Sequence, residues 1–176
     1  MKRIQNILSI LLIALTLPSI AQTDKATTQR VVQDQDFVFQ ATSAMPMANM
    51  DVSRVLNRMN NPGGAGNINL SGSQYDLTIK KDSIVAYLPY YGRAYTATMN
   101  PDDSGIKFKS KDFTYTNTKK KKGGWTITII PKDVKDSQKM ILDVSESGYA
   151  TLSVTNNNRQ PISFYGYISE PKKPKK

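Results

Sequence analysis

From Phe37 onward, apolar residues recur at every second position, the period of a strand with one face buried. Phe37 and Phe39 open the pattern, and Met45-Pro46-Met47 ends the first run. Tyr75, Leu77 and Ile79 point one way, and a Lys80-Lys81-Asp82 turn leads to Ile84, Ala86 and Leu88. Arg93 to Thr98 reads as a further strand, closed by Asn100-Pro101-Asp102-Asp103-Ser104-Gly105. The same alternation pairs Ile106 with Phe108 and Phe113 with Tyr115. It continues through Trp125, Ile127 and Ile129, then Met140, Leu142 and Val144. Ser147-Gly148 introduces Ala150, Leu152 and Val154, and Asn156-Asn157-Asn158 introduces Ile162 and Phe164.

Two stretches break the period of two. Thr23 to Asp36 is polar, and a short helix is expected around Ala26 to Gln33. Between 51 and 59, Val52, Val55, Leu56 and Met59 fall at i, i+3, i+4 and i+7, the stripe of an amphipathic helix. Asp51 is placed to cap that helix and Asn60-Asn61-Pro62-Gly63-Gly64 to stop it. The predicted fold is therefore mainly β: an antiparallel meander of about nine strands with one or two short helices near the N-terminus. Because unpaired strand edges are a liability, closure as a barrel or as a two-layer sandwich is expected.

The first 21 residues follow a different grammar. Lys2 and Arg3 precede an apolar run from Ile7 to Leu17, Pro18 breaks it, and Ser19-Ile20-Ala21 offers small residues at the cleavage positions. This is the pattern of a signal peptide, and the run is short for a membrane span. Cleavage between Ala21 and Gln22 is expected, which would leave an exported chain in the periplasm or medium. The domain boundaries follow: a leader at 1–21, a polar segment at 22–36, a single β domain at 37–169 and a basic tail at 170–176.

Composition narrows the chemistry. The 176 residues contain no cysteine and no histidine. Disulfides, thiolate nucleophiles, Ser-His-Asp triads and the usual zinc ligands are thereby excluded, and nothing calls for a cofactor. The formal charge is +10, but Lys2 and Arg3 belong to the leader, and eight lysines sit at 119–122, 172, 173, 175 and 176. Without these the chain carries fourteen charges of each sign. The excess reads as a solvated turn and tail, with weak attachment to an anionic envelope surface as the functional alternative. No basic face with interleaved aromatics accompanies it, so nucleic acid is not expected as a partner. Gly63 to Asn69 lacks the ending of a phosphate loop, Asp102-Asp103-Ser104-Gly105 has too few donors for a calcium loop, and Asp133 and Asp136 read as salt-bridged surface acids.

Two segments stand apart. Tyr87-Leu88-Pro89-Tyr90-Tyr91-Gly92-Arg93-Ala94-Tyr95 and Asn158-Arg159-Gln160-Pro161-Ile162-Ser163-Phe164-Tyr165-Gly166-Tyr167-Ile168 each gather tyrosines around a glycine and an arginine. Such residues line ligand sites through stacking, phenol hydrogen bonds and a fixed charge, and they serve equally as core-edge residues. Tyr90, Tyr91, Arg93, Tyr95, Arg159, Tyr165 and Tyr167 are thus the candidate ligand-binding residues, and no catalytic or metal residue is assigned. The two segments are expected to be spatial neighbours whose tyrosines share one wall, since a last strand commonly meets an early one on closure.

These same segments resemble the signatures of exported bacterial proteins grouped as domain of unknown function 4251, and the resemblance runs from about Phe37 to Ile168. It implies export and a β fold, and transfers no catalytic residue. Many members look like lipoproteins with a cysteine at the cleavage site; this chain has none, so no lipid anchor is expected. The reading that follows is a non-enzymatic binding or envelope-accessory module, its partner a small molecule or an envelope protein. An Asp/Tyr acid-base hydrolase and a structural subunit of an envelope assembly are the alternatives.

Overall fold

The structure, a computed structural model, describes residues 23–46, 67–95, 105–136 and 138–171. The leader with its cleavage position at Ala21 and Gln22, the helix expected at 51–59, the glycine stretch up to Gly66, Asp102 to Ser104 and the tail lysines lie outside the described residues.

Among the described residues one helix precedes the sheet, α1 (Lys25–Asp34), matching the expected segment to within one residue at each end. Asp24 caps it: its Oδ1 accepts from the Thr27 amide at 2.8 Å. That bond, with a second from the Thr27 hydroxyl, holds the Asp24 carboxyl below the usual carboxylate range. The chain leaves the helix through Gln35 in the left-handed conformation. Thr28, Val31 and Val32 are buried.

Ten strands follow: β1 (Phe37–Pro46), β2 (Ile68–Asn69), β3 (Asp76–Ile79), β4 (Ile84–Leu88), β5 (Ile106–Ser110), β6 (Phe113–Lys119), β7 (Trp125–Pro131), β8 (Gln138–Val144), β9 (Tyr149–Asn156) and β10 (Arg159–Ser169). Their order across the sheet is β5-β4-β3-β1-β10-β9-β8-β7-β6, with β2 paired to β1. All pairs are antiparallel, and the sheet curls into a nearly closed barrel. Of the two closures left open by the alternation, the barrel is the one formed. Its interior is the set of alternating residues read above, with Phe37, Phe39, Leu77, Ile79, Ile127, Ile129, Leu142, Leu152 and Phe164 fully buried. Each such side chain contributes about 1.5–3 kcal/mol by leaving water.

The expected meeting of early and late strands occurs: β1 pairs with β10 along most of its length. The ends of the path are β5 and β6, consecutive strands that do not pair with each other. Their turn is held from outside by Asp133, whose carboxylate accepts from the Ser110 hydroxyl at 2.5 Å and from the Lys111 and Asp112 amides at 2.9 and 3.2 Å. The Ser110 bond above all brings the Asp133 carboxyl down to about 2. Asp133 and Asp136 are therefore not the salt-bridged acids expected from their lysine neighbours. Asp133 binds a turn, and Asp136 accepts from the Asn158 amide side chain at 3.0 Å.

Two bulges interrupt the alternation. On β1 the register against β10 shifts between Ala41 and Ser43, so Thr42 is the extra residue and the buried set passes from Phe37, Phe39 and Ala41 to Ala44 and Pro46. On β10 the register against β9 shifts between Arg159 and Ile162. Arg159 is thereby buried along with Ile162 and Phe164, although strict alternation would place it with Tyr165 and Tyr167.

Candidate functional site

The two tyrosine-rich segments do meet, at their near ends. Beyond β4 the chain crosses to the start of β10, where the Tyr95 amide donates to the Asn158 carbonyl at 2.8 Å and the Gln160 amide to the Arg93 carbonyl at 3.0 Å. Ala94 and Arg159 form an isolated bridge between these bonds. This corrects the strand expected at Arg93 to Thr98: in its described part only Ala94 pairs, and Thr96 to Thr98 lie outside the described residues.

Side chains tighten this junction. The Tyr90 hydroxyl lies 2.8 Å from the Arg93 carbonyl and 3.0 Å from that of Gln160, sharing its one proton between them. Arg159, only 8% exposed, places its guanidinium 5.1 Å from the centre of the Tyr90 ring and donates to the Gly105 carbonyl at 3.0 Å. Burial pushes the Tyr90 phenol up, against the opposing pull of its bond to Gln160 and of the Arg159 charge. At Gly92 an added Cβ would lie 2.7 Å from the Tyr90 hydroxyl, so a larger residue would displace the clamp. Tyr91 is half-buried near Tyr75, and burial raises its phenol. Tyr95 is 67% exposed. At this junction Tyr90 and Arg159 hold one chain segment to another.

Tyr165 and Tyr167 lie elsewhere. Tyr167 is seven residues beyond Gln160, about 23 Å along an extended strand, so the expected single wall of tyrosines does not form. On the outer face of the barrel, Tyr167 is the cross-strand partner of Tyr149 and Tyr165 that of Thr151. Side chains on directly opposed residues, and those two positions apart along a strand, are within reach of one another. Tyr149 is 55% and Tyr165 39% exposed, and the Tyr167 hydroxyl donates to the Gln40 side-chain carbonyl at 3.4 Å. Together they border an open groove of about 480 Å³.

Polar groups flank the tyrosines on both sides. Thr42, turned outward by the β1 bulge, donates through its hydroxyl to the Tyr165 carbonyl at 3.1 Å. Asp143 accepts from the Thr126 hydroxyl at 2.7 Å and forms an ion pair with Lys120 at 2.6 Å. Partial burial pulls its carboxyl upward, but the bonds from Lys120 and Thr126, with the Lys120 charge, outweigh it and hold the acid below its usual range. The groove floor depends on Gly166. An added Cβ there would lie 1.9 Å from the Gln40 carbonyl oxygen, because β1 and β10 approach closely beside the bulge.

Tyr149 and Asp143 were not among the sequence candidates, and Lys120 was only as part of the 119–122 turn with its anionic-surface alternative. Tyr149 carried a legible signal: with Ala150, Leu152 and Val154 inward, its parity is outward, where a large aromatic ring has no core to fill. Nothing local marked Asp143, whose partner comes from a turn about twenty residues upstream. Among the described residues no His, Cys, Asp or Glu cluster could hold a metal ion, and no helix is long and apolar enough to cross a membrane.

The family model described as Domain of unknown function (DUF4251) matches residues 20–168. A crystal structure of a DUF4251 family protein from Bacteroides eggerthii DSM 20697 has the same fold, with a TM-score of 0.54 and 10% sequence identity. The alignment covers 83% of this chain and 87% of that one. Among curated proteins, nothing is significantly similar in sequence.

Proposed function

Since this chain belongs to the DUF4251 family, a family defined without an activity, we propose a function from its site: an exported, non-enzymatic binding module whose ligand lies in the outer groove bordered by Tyr149, Tyr165 and Tyr167. One observation carries the reading. Three large aromatic side chains stand together on the outward face of a sheet whose core is already filled, beside a groove of about 480 Å³. That volume falls within the range of small-molecule sites. Aromatic rings kept at a water-facing surface, with hydroxyls and one ion pair around them, suit a ligand with flat apolar faces and polar edges. The grammar of residues 1–21 supports export, and a hydrolase reading finds no second acid facing Asp143 across the groove among the described residues.

Thermal-shift titration against cell-envelope fragments (muropeptides, envelope oligosaccharides and lysophospholipids) tests the proposal. A ligand at a hundred times its Kd adds about 2.7 kcal/mol, and its shift should disappear in Tyr149→Ala and Tyr165→Ala. A shift that survives both substitutions places the ligand outside the groove. Mass spectrometry of secreted protein tests export: a chain beginning at Gln22 is expected, and one retaining residues 1–21 would refute cleavage there.

A further inference from the structure

We infer that the ligand of this groove is a carboxylate-bearing saccharide, an inference that rests on the groove being the binding site. The tyrosines argue for the sugar. Tyr149 and Tyr167 are cross-strand partners and Tyr165 lies two residues from Tyr167 on the same strand, so the three side chains make up one aromatic patch on the outer face. A pyranose ring matches it, with an apolar C–H face to lay on an aromatic ring and hydroxyls at its edge. The hydroxyls and carboxylate around the tyrosines, on Thr42, Thr151, Ser145 and Asp143, are the complement of a polyhydroxylated edge.

The acid is argued from charge. The two carboxylates near the groove are already engaged, Asp143 by Lys120 at 2.6 Å and Glu146 by Lys25 at 2.9 Å. The turn that supplies Lys120 and Gly123 to the groove also carries Lys121 and Lys122, both exposed and without an ion pair among the described residues. The groove thus has a neutralised interior and a surplus of positive charge on one rim. Carboxylates spaced along a saccharide would meet that rim while its rings lie on the platform. Single-stranded nucleic acid also stacks on aromatics, but its phosphates need a basic track along the groove, and the free lysines here sit in one turn. An anionic membrane would use the lysines and leave the tyrosines idle.

Equilibrium titration of the protein with hexagalacturonic acid, with a hyaluronan hexamer and with fully methyl-esterified hexagalacturonate separates these cases. At least one acidic hexamer should bind at least ten-fold more tightly than the ester at low salt, and the margin should shrink at high ionic strength. The double variant Lys121→Gln, Lys122→Gln should bring the acid down to the affinity of the ester, and Tyr149→Ala with Tyr165→Ala should weaken both. Equal binding of acid and ester, or no binding of either acidic hexamer, overturns the acidic class and leaves the groove reading standing. Binding that ignores the tyrosine substitutions overturns the groove itself. Lysine-dependent, tyrosine-independent binding to phosphatidylglycerol vesicles, or tighter binding to oligo(dT), assigns the turn to another partner and refutes the inference.

Discussion

β10 begins and ends in tyrosine-rich surroundings, and the two ends differ in what those side chains are free to do. At its start, Arg159 is buried against Tyr90, and the Tyr90 proton is shared between two backbone carbonyls. At its far end, Tyr165 and Tyr167 face outward beside Tyr149, over a groove. The composition of the two ends is alike. A bulge between Arg159 and Ile162 separates them, turning one side chain inward and leaving the others out. An aromatic residue beside an arginine therefore marks a tertiary clamp where the pair is buried and spent, and a binding surface only where rings remain in water.

The hardest test of this contrast removes the floor that the outer face is built on. Gly166→Val puts side-chain atoms into the Gln40 carbonyl and should cost about 3 kcal/mol or prevent folding, read from the urea midpoint. A loss below 1 kcal/mol would mean that β1 and β10 part easily. The clamp comes next. Arg159→Ala should cost about 2 kcal/mol by leaving the Gly105 carbonyl without its donor. In a double-mutant cycle it should couple to Tyr90→Phe by at least about 0.5 kcal/mol, whereas Arg93→Ala and Tyr167→Ala should add within about 0.3 kcal/mol. Coupling between Arg93 and Tyr167 would reunite the two ends.

Two acids extend the comparison to pH. The Asp133 carboxyl sits at about 2 against an ordinary 3.8, so its stabilisation is complete above about pH 4 and is lost as pH falls toward 2. Asp133→Asn should lower Tm at pH 6, and the gap from the parent protein should close on acidification. A gap that stays constant with pH would show that the turn does not depend on the charge. Asp143→Asn should change stability by less than about 1 kcal/mol, because its ion pair with Lys120 is nearly half exposed. The smallest effects belong to the platform: Tyr149→Ala and Tyr165→Ala should leave stability within about 0.5 kcal/mol while removing ligand binding. A larger loss would make them structural, as Tyr90 is.

Alternation alone identified the faces of the strands. Leu77 and Ile79, Ile127 and Ile129, Leu142 and Leu152 are all buried, because a side chain two residues on always returns to the same side of a pleated strand. The turns between neighbours were equally legible, since turn chemistry acts within a few residues, whereas the helix at Lys25–Asp34 was expected only from a polar stretch and its Asp24 cap was not read. The residues of the DUF4251 signatures were legible as a pattern, but not their division of labour. Whether Arg159 joins the tyrosines or leaves them depends on a bulge, and a bulge depends on register with the neighbouring strand. The meeting of Tyr149 with Tyr167 and of Lys120 with Asp143 depends in the same way on which strands pair and in what register. Periodicity specifies a face and is silent about the partner across it. Only the pairing of β1 with β10, which joins the two halves of the meander into one curled sheet, decided what each face was set against.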